Sequence, residues 1–313
     1  MPQVSVIIPA YNALKYLPET INSVLAQSFV DYEIIVVDDE STDGTAEWLR
    51  SRASGYLHFY EQKNQGAAAA RNTAIRHARG KYIAFLDADD LWEPTMLEQQ
   101  VACLEEHPEA GLVYTWMRVI DENGKPTGNL CRPKDEGFIW EQLVRTNNIY
   151  PSATMVRRGC FDTVGLFDPE LPNVEDWDMW LRIANRYPVV VLREPLMLYR
   201  RHPNCNSKKT SERVLLRLLD KIFDHAPEHL LALKAECFGR NYLYLAWKAL
   251  ERGDIAEAWD WRRQALAKYP PLLWYPSGLR FVAAMAVRQY LSADIYREFA
   301  IVARKLRSIL TLN

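Results

Sequence analysis

The fold of this chain is decided by the segment VSVIIPAYN at residues 4–12, where an apolar run passes into a short polar stretch. Two further apolar runs end in acid clusters, VVDD at residues 36–39 and FLDADD at residues 85–90. Each run has the length and composition of a buried strand, and helix-like stretches separate the three. This alternation predicts an α/β protein in which parallel strands are joined by crossover helices.

The polar ends of these strands are expected to meet. In a parallel sheet the carboxyl ends of the strands share one edge, and ligands bind in the crevice there. Carboxylates gathered at that edge repel one another unless a positive group lies among them. A divalent cation that carries a phosphorylated ligand is the economical explanation. For each cluster taken alone, a strand-terminal turn with solvated carboxylates or a helix cap is the competing interpretation.

The bulk composition is that of an ordinary globular protein and excludes several classes. The 313 residues are 49% hydrophobic and 25% charged, and a formal net charge of -2 gives no reason to expect a nucleic-acid partner. The five cysteines include no CxxC pair, which predicts reduced thiols rather than a disulfide framework or a zinc site. With no signal peptide and no spanning segment visible, we expect a cytoplasmic protein.

Periodicity and turn residues predict further elements along the chain. Helices are expected at Leu14–Gln27, Thr45–Arg50, Ala67–Ala78, Pro94–Leu104 and Asp176–Tyr187. Shorter strands are expected at His58–Tyr60, Gly111–Ile120, Ser152–Val156, Val189–Leu192 and Met197–Tyr199. A polar stretch at Asn204–Thr210 marks a boundary, which divides the chain into a domain of residues 1–205 and a helical region of residues 206–313.

The helical region leaves its role open. Tyr242–Ala267 has the pattern of a helix-turn-helix around Gly253 and Asp254, similar to a single tetratricopeptide-type unit without a second copy. A helical tail packed on the first domain is the simpler interpretation. Phe281–Leu312 mixes apolar and basic residues, so an interfacial helix at the inner face of a membrane and an ordinary packed helix both remain open.

Four motifs, in this order and spacing, carry a family resemblance. They are VSVIIPAYN at 4–12, VVDDESTDGT at 36–45, NQGAAAARN at 64–72 and FLDADD at 85–90. Looser matches follow in VGLFD at 164–168, EDWDMWLR at 175–182 and YRRH at 199–202. The chain resembles the family-2 inverting glycosyltransferases with the GT-A fold. The resemblance implies a Rossmann-like, mostly parallel sheet flanked by helices, with the C-terminal helices as an extension outside the likeness.

The resemblance also implies roles for residues at matching positions. Asp176 would be the catalytic base, although acids at a helix start are also favoured by the helix dipole. The metal ligands would be Asp89, Asp87 and His202, the last of which has the alternative of a polar loop histidine. The nucleotide-sugar site would contain Pro9, Ala10, Tyr11, Asn12, Asp38, Asp39, Asn64, Gly66, Arg71, Asp87 and Ala88. Arg71 would pair with the diphosphate or with the acid clusters, unless it is a surface helix arginine.

The implied activity is transfer of one sugar from a nucleotide-diphosphate sugar, with UDP-sugars favoured, to a hydroxyl of a glycan or lipid-linked acceptor. Mn or Mg is the expected cofactor, and synthesis of cell-surface polysaccharide or glycolipid the expected setting. The Gln-x-x-Arg-Trp motif of processive synthases is absent. Glu40 stands where many relatives carry a small residue, which leaves the nucleobase open.

Two other functions remain alternatives from the sequence. A sugar nucleotidyltransferase would carry a Gly-rich, basic phosphate loop after the first strand, and Pro9–Lys15 contains none. A degenerate transferase scaffold that binds a partner through its helical tail would have lost its carboxylates, and Asp38, Asp89 and Asp176 are intact. The Rossmann G-x-G-x-x-G and P-loop signatures are absent, which argues against nicotinamide and P-loop enzymes.

Overall fold

The computed structural model describes residues 1–53, 55–203, 205, 211–224, 226 and 228–290. The strands are β1 Val4–Ala10, β2 Tyr32–Asp38, β3 Leu57–Glu61, β4 Tyr82–Phe85, β5 Leu91–Trp92, β6 Leu112–Ile120, β7 Pro126–Cys131, β8 Thr154–Arg157 and β9 Val189–Arg200. The α-helices are α1 Leu17–Leu25, α2 Thr45–Arg50, α3 Gly66–His77, α4 Met96–Glu106, α5 Trp140–Arg145, α6 Gly159–Val164, α7 Glu175–Ala184, α8 Glu212–Asp224, α9 Lys234–Arg252, α10 Ile255–Lys268 and α11 Pro276–Tyr290.

The strands form one mixed sheet in the order β3-β2-β1-β4-β8-β6-β9-β5, with β7 paired to β6. Strands β1 to β4 pair in parallel, which confirms the crossover connections predicted for the first half. Strand β8 pairs antiparallel with both β4 and β6, so the second half of the sheet is not uniformly parallel. The carboxyl ends of β1, β2 and β4 therefore lie at one edge, where the motif residues were expected.

The three decisive strands are buried because helices cover the sheet. Val4, Ile8 and Ile34 are inaccessible to solvent, and helix α1 adds Leu17 and Val24 to the same core cluster. Buried parallel strands read as continuous apolar runs for this reason, since neither face meets water. The sheet is thus a rigid platform from which the strand ends present their polar residues.

Strand β9 differs from the sequence prediction of two short extended segments. It is one strand that pairs in parallel with β6 along its whole length, and the register shifts near Trp116 and Pro195. Proline lacks the N–H that a regular ladder needs, so it is accommodated where the pairing is irregular. The strand continues to Arg200, which brings the following residues to the edge of the sheet beside β5.

Aromatic side chains hold helix α7 against the sheet. Trp180 is buried, and its ring centroid lies 6.0 Å from that of Phe85 and 6.1 Å from that of Phe167. The indole N–H of Trp180 donates to the Ile149 carbonyl, and that of Trp177 donates to the Leu143 carbonyl. Because buried indoles need such partners, these contacts fix the rotation of the helix and the direction in which its first turn faces.

The chain divides into two compact units, residues 1–218 and residues 219–313. In the second unit α9 and α10 form the predicted helix-turn-helix: Gly253 has a φ of 90° and ends α9, and Asp254 accepts from the Glu257 N–H to cap α10. The domain division proposed from the sequence, at residues 205 and 206, stays a prediction. Most of the Asn204–Thr210 stretch, and Phe281–Leu312 beyond residue 290, lie outside the described residues. No helix in the described ranges is long and apolar enough to span a membrane.

Candidate active site

Asp39, just beyond β2, fixes the start of helix α3. One carboxylate oxygen accepts from the Gln62 side-chain amide (2.8 Å) and the Gln65 N–H (3.0 Å), and the other accepts from the Gly66 N–H (2.7 Å). A helix leaves its first N–H groups without internal partners, and its dipole favours a negative charge there. Gly66 has a φ of 85°, which suits glycine at this entry to the helix. Asp39 therefore positions α3 from the neighbouring strand end.

The other residues predicted for the nucleotide lie around the ends of β1 and β2. The Tyr11 ring is 55% exposed, whereas Ala10 and Asp38 are buried. Asp38 Oδ2 accepts from the Ser41 N–H, and Oδ1 has no hydrogen-bond partner among the described residues. Asn12 ties this loop to the next one, since its Oδ1 accepts from the Thr42 N–H at 2.7 Å. An exposed aromatic ring thus lies in the same loop region as a buried carboxylate oxygen.

Two residues other than glycine in these loops adopt left-handed backbone conformations. Asn12 has a φ of 48° and Glu40 a φ of 67°. Asparagine tolerates this region, whereas for glutamate it costs roughly 1–2 kcal/mol. Glu40 Oε2 in turn accepts from the N–H of Asn64, at 3.2 Å, in the loop before α3.

The turn after β4 is held by a buried serine that the sequence analysis did not single out as a site residue. Ser152 Oγ accepts from the Asp87 N–H at 3.0 Å and donates to Asp90 Oδ2 at 2.6 Å. Burial raises the pKa of the Asp90 carboxyl well above its ordinary value, and the charges of Asp89 and Asp87 add to this effect. Asp90 is therefore a buried anchor of the turn, and it leaves Asp87 and Asp89 to face the site.

Arg71 joins three parts of the site and is not a surface arginine. Its guanidinium is buried and donates at 2.7 Å to Asp87 Oδ1 and at 2.7 Å to Glu175 Oε1. Burial works to lower the pKa of this guanidinium, but the two carboxylates outweigh it and raise the pKa. Ala68 and Ala70, which precede Arg71 on the same helix, are buried as well. Of the two partners predicted for Arg71, the structure shows the acid cluster.

Asp176 lies beside this ion-pair group at the start of α7. Its Oδ1 accepts from the Trp177 N–H at 2.7 Å, and its Oδ2 accepts from the Asn147 side-chain amide at 3.2 Å. Burial raises the pKa of the Asp176 carboxyl to about 7, and the nearby charge of Glu175 adds to the rise, while Arg71 opposes it. A carboxyl with such a pKa can exchange a proton near neutral pH, as a general base must.

A candidate metal site lies at the tip of the same edge. His202 Nε2 is 2.8 Å from Asp89 Oδ2, and Cys205 Sγ joins them in a group whose three donor atoms lie within 4.8 Å of one another. Burial raises the pKa of Asp89, and the charge of Asp87 adds to this, while His202 opposes it. Oxygen and imidazole donors so arranged fit a divalent cation. The Asp87 carboxylate, in contrast, has its Oδ1 engaged by Arg71.

The sequence analysis missed three contributors to this arrangement. Glu175 appeared only within the motif EDWDMWLR, Ser152 only as the first residue of a predicted strand, and Cys205 only among the five cysteines. A signal for Cys205 was present in its position three residues after His202. No local pattern identified Glu175 as a partner of Arg71, because the two residues are 104 positions apart.

A sequence model of glycosyl transferase family 2 matches residues 5–165, which is more than half of the chain. The chain belongs to glycosyl transferase family 2. Over 203 residues it is 32% identical to TuaG of Bacillus subtilis, which is provisionally named a teichuronic acid biosynthesis glycosyltransferase. The aligned region covers 64% of this chain and 79% of that protein. The chain spans only about a third of two rickettsial glycosyltransferases that it also matches, 31% and 30% of their lengths.

Solved structures of similar fold place this family-2 chain among GT-A proteins. Staphylococcus aureus TarS 1–349 in complex with UDP-GlcNAc matches with a TM-score of 0.68 at 22% identity, over 97% of this chain and 92% of that chain. The mannosyltransferase PcManGT of Pyrobaculum calidifontis in complex with GDP-Man and Mn²⁺ matches with a TM-score of 0.60 at 20% identity, over 99% and 86%. At these identities the likeness establishes the fold, and the predicted GT-A class is confirmed.

Proposed function

We propose that this protein is an inverting glycosyltransferase that moves one sugar from a nucleotide-diphosphate sugar to an acceptor hydroxyl. The observation that carries the proposal is the Asp176 carboxyl, whose pKa is raised to about 7 beside the buried pair of Arg71 and Glu175 and the half-buried Asp87. Relatives named for teichuronic acid biosynthesis and as chondroitin synthase support a setting in cell-surface polysaccharide or glycolipid synthesis. A glycan or a lipid-linked acceptor fits that setting.

The proposed reaction is a single displacement. The acceptor hydroxyl oxygen attacks the anomeric carbon on the face opposite the diphosphate, and the bond from that carbon to the diphosphate oxygen breaks with its electron pair. Asp176 takes the proton of the attacking hydroxyl. The configuration at the anomeric carbon is inverted because bond formation and bond cleavage occur on opposite faces.

The donor is proposed to lie along the edge formed by β1, β2 and β4. Pro9, Tyr11 and Asp39 would line the nucleobase, with Asp38 beside them, and Asp87 would contact the ribose or the metal. The exposed Tyr11 side chain offers a stacking surface. Asp38 Oδ1, which has no hydrogen-bond partner within the described part of the chain, offers an acceptor for a nucleobase N–H or a ribose hydroxyl. Complexes of TarS with UDP and UDP-GlcNAc favour a UDP-sugar as the donor. The complex of PcManGT with GDP-Man makes guanine the alternative nucleobase.

Asp89 and His202 are proposed to hold the divalent cation, Mn or Mg, with Asp87 beside them. Such an ion neutralises the charge that develops on the departing diphosphate. Asp89 and His202 already face each other at 2.8 Å, and Arg200 holds their loop through the Asp89 carbonyl. The Mn²⁺ in the PcManGT complex supports a cation in this fold. A cytoplasmic location, with peripheral contact at the inner face of a membrane, stays a prediction.

Asp89→Asn is expected to abolish metal-dependent stabilisation by the donor and to lose sugar transfer. The amide keeps the shape of the side chain but removes the negative charge that attracts the cation. We would screen nucleotide sugars by thermal unfolding with and without Mn or Mg, since a ligand that binds only the folded state raises the melting temperature. Asp31→Asn, at an exposed acid before β2, is the matched control. Full metal-dependent activity in Asp89→Asn would show that the ligand assignment is wrong.

The pH dependence of transfer is expected to follow Asp176. Since the base must be ionised to take a proton, kcat/KM should rise with pH through an apparent pKa near 7. The folded pKa lies above the ordinary value of 3.8, so the stability that this carboxyl contributes is present below 3.8 and is lost as pH rises through about 7. Rate profiles and thermal unfolding at pH 5 to 9 measure both effects. A flat rate profile across this range would count against Asp176.

A further inference from the structure

Cys205 adds a sulfur donor to the oxygen and nitrogen donors of the metal site. Its Sγ, Asp89 oxygen and His202 nitrogen all lie within 4.8 Å of one another, and the site is partly closed to solvent, since only 9% of the His202 side chain is exposed. The Tyr16 ring packs against the His202 imidazole with the ring centroids 4.8 Å apart. An oxygen, a nitrogen and a sulfur donor atom therefore lie close together at a position that is partly closed to solvent.

The loop that carries Cys205 is tied to the turn that carries Asp89. Arg200 is buried, its N–H donates to Asp90 Oδ1 at 2.9 Å, and its Nε donates to the Asp89 carbonyl at 2.8 Å. Cys205 Sγ accepts from the His202 N–H at 3.3 Å and donates to the Arg200 carbonyl at 3.4 Å. The thiol is thereby placed by the main chain of its own loop on the side that faces Asp89.

This donor set differs from the one that Mg²⁺ prefers. Mg²⁺ is bound through oxygen, whereas thiolate together with imidazole and carboxylate is suited to Zn²⁺ and its analogue Co²⁺. Around a tetrahedral ion with the usual bond lengths the donors lie about 3.5 Å apart, so side-chain movements of about 1 Å are enough. Three protein ligands leave a fourth position open, as in sites where a metal also holds a substrate.

We propose that Asp89, His202 and Cys205 form a three-ligand site that binds Zn²⁺ in preference to Mg²⁺, with the Cys205 thiolate as a direct ligand. On metal binding, Cys205 would lose its proton to solvent, and a metal–sulfur bond would replace the hydrogen bond from the thiol to the Arg200 carbonyl. The hydrogen bond between His202 Nε2 and Asp89 Oδ2 would break as well, with the proton between them leaving Nε2 for Nδ1 or for solvent. The inference rests on the proposed function in one respect, because Asp89 and His202 are the residues proposed there to hold Mn or Mg, so Zn²⁺ would compete with that ion for the same position. Metal binding is measurable without any transfer, so failure of one claim can be told apart from failure of the other.

The test is a Co²⁺ titration of the metal-free full-length protein, followed by competition with Zn²⁺ and with Mg²⁺. A direct thiolate ligand gives a strong sulfur-to-cobalt absorption band in the near ultraviolet. We expect this band in the unmodified protein, its loss on addition of Zn²⁺, and no loss with an equal concentration of Mg²⁺. In Cys205→Ser the band should disappear, and Zn²⁺ should bind at least about tenfold more weakly, because even outer-shell changes weaken metal binding by about 10- to 100-fold.

Two controls separate ligand loss from disturbance of the loop. Serine can make the same two main-chain hydrogen bonds as the thiol, so Cys205→Ser should keep the melting temperature of the metal-free protein. Cys131→Ser, at a half-buried thiol on β7 outside the group, should keep the band and the Zn²⁺ affinity. Co²⁺ binding without the sulfur band, or an unchanged band in Cys205→Ser, would overturn the proposal whether or not the protein transfers sugar.

Discussion

Asp176→Asn is expected to lower the turnover of sugar transfer by at least about a hundredfold while donor affinity stays within about twofold. The amide cannot take a proton from the acceptor hydroxyl, and general-base effects are usually about 10²- to 10⁴-fold. Donor affinity should be kept, because the proposed donor contacts come from the ends of β1, β2 and β4. Single-turnover rates, with donor affinity measured separately by calorimetry, distinguish the two quantities.

The competing explanation for Asp176 is that it is simply an acid at the start of α7. In that case its removal would cost only about 0.3–1 kcal/mol of stability through the helix dipole, and turnover would survive. Asp162→Asn is the matched control, since Asp162 is an exposed acid in the first turn of α6. Weakened donor binding with unchanged turnover in Asp176→Asn would reject the assignment of the base.

Arg71→Met is expected to destabilise the protein by about 3–5 kcal/mol, the usual cost of leaving a buried charge without its partner. The change leaves Glu175, whose side chain is only 8% exposed, buried without its cation, and it removes the cation of Asp87 as well. Transfer should also fall, because the group that aligns the first turn of α7 with the turn after β4 is lost. Urea unfolding monitored by tryptophan fluorescence measures the stability change.

An exposed pair provides the comparison for Arg71. Arg50 binds Glu61 in a similar two-nitrogen contact, but both side chains are about half exposed, at 51% and 48%. Arg50→Met should therefore lower the free energy of unfolding far less than Arg71→Met does, because solvent screens an exposed pair. Adding Glu175→Gln to Arg71→Met should recover part of the loss, since it removes the uncompensated charge. If Arg71→Met cost no more than Arg50→Met, burial would not be what makes this ion pair important.

The strands that depend only on a continuous apolar run in the local sequence were predicted well. The runs before Asn12, Asp38 and Asp87 are strands because they are apolar on both faces, and their polar ends share an edge because the strands are parallel. The helix expected over Leu14–Gln27 begins only at Leu17, with Pro18 in its first turn, where a proline is tolerated. The two-residue strand β5 was too short to leave a pattern.

The side-chain contacts of the site that join residues far apart in the chain could not be predicted from local sequence patterns. Arg71 matched the family motif, but its partner Glu175 is brought to it only by the packing of α3 and α7. Asp39 was expected to contact the nucleotide, and nothing local indicated that its carboxylate also accepts three hydrogen bonds at the start of α3. Cys205 reaches Asp89 because β9 continues to Arg200, a continuity hidden by Pro195.

The anomeric configuration of the first product tests the central claim most directly. A nucleotide sugar that stabilises the protein would be incubated with it in the presence of the metal, and the transferred or hydrolysed sugar would be followed by real-time proton NMR before its anomers equilibrate. The account predicts that an α-linked donor gives the β product first, and that Asp176→Asn greatly slows its appearance. Release of the α product would mean retention, and would contradict a single displacement with Asp176 as the base.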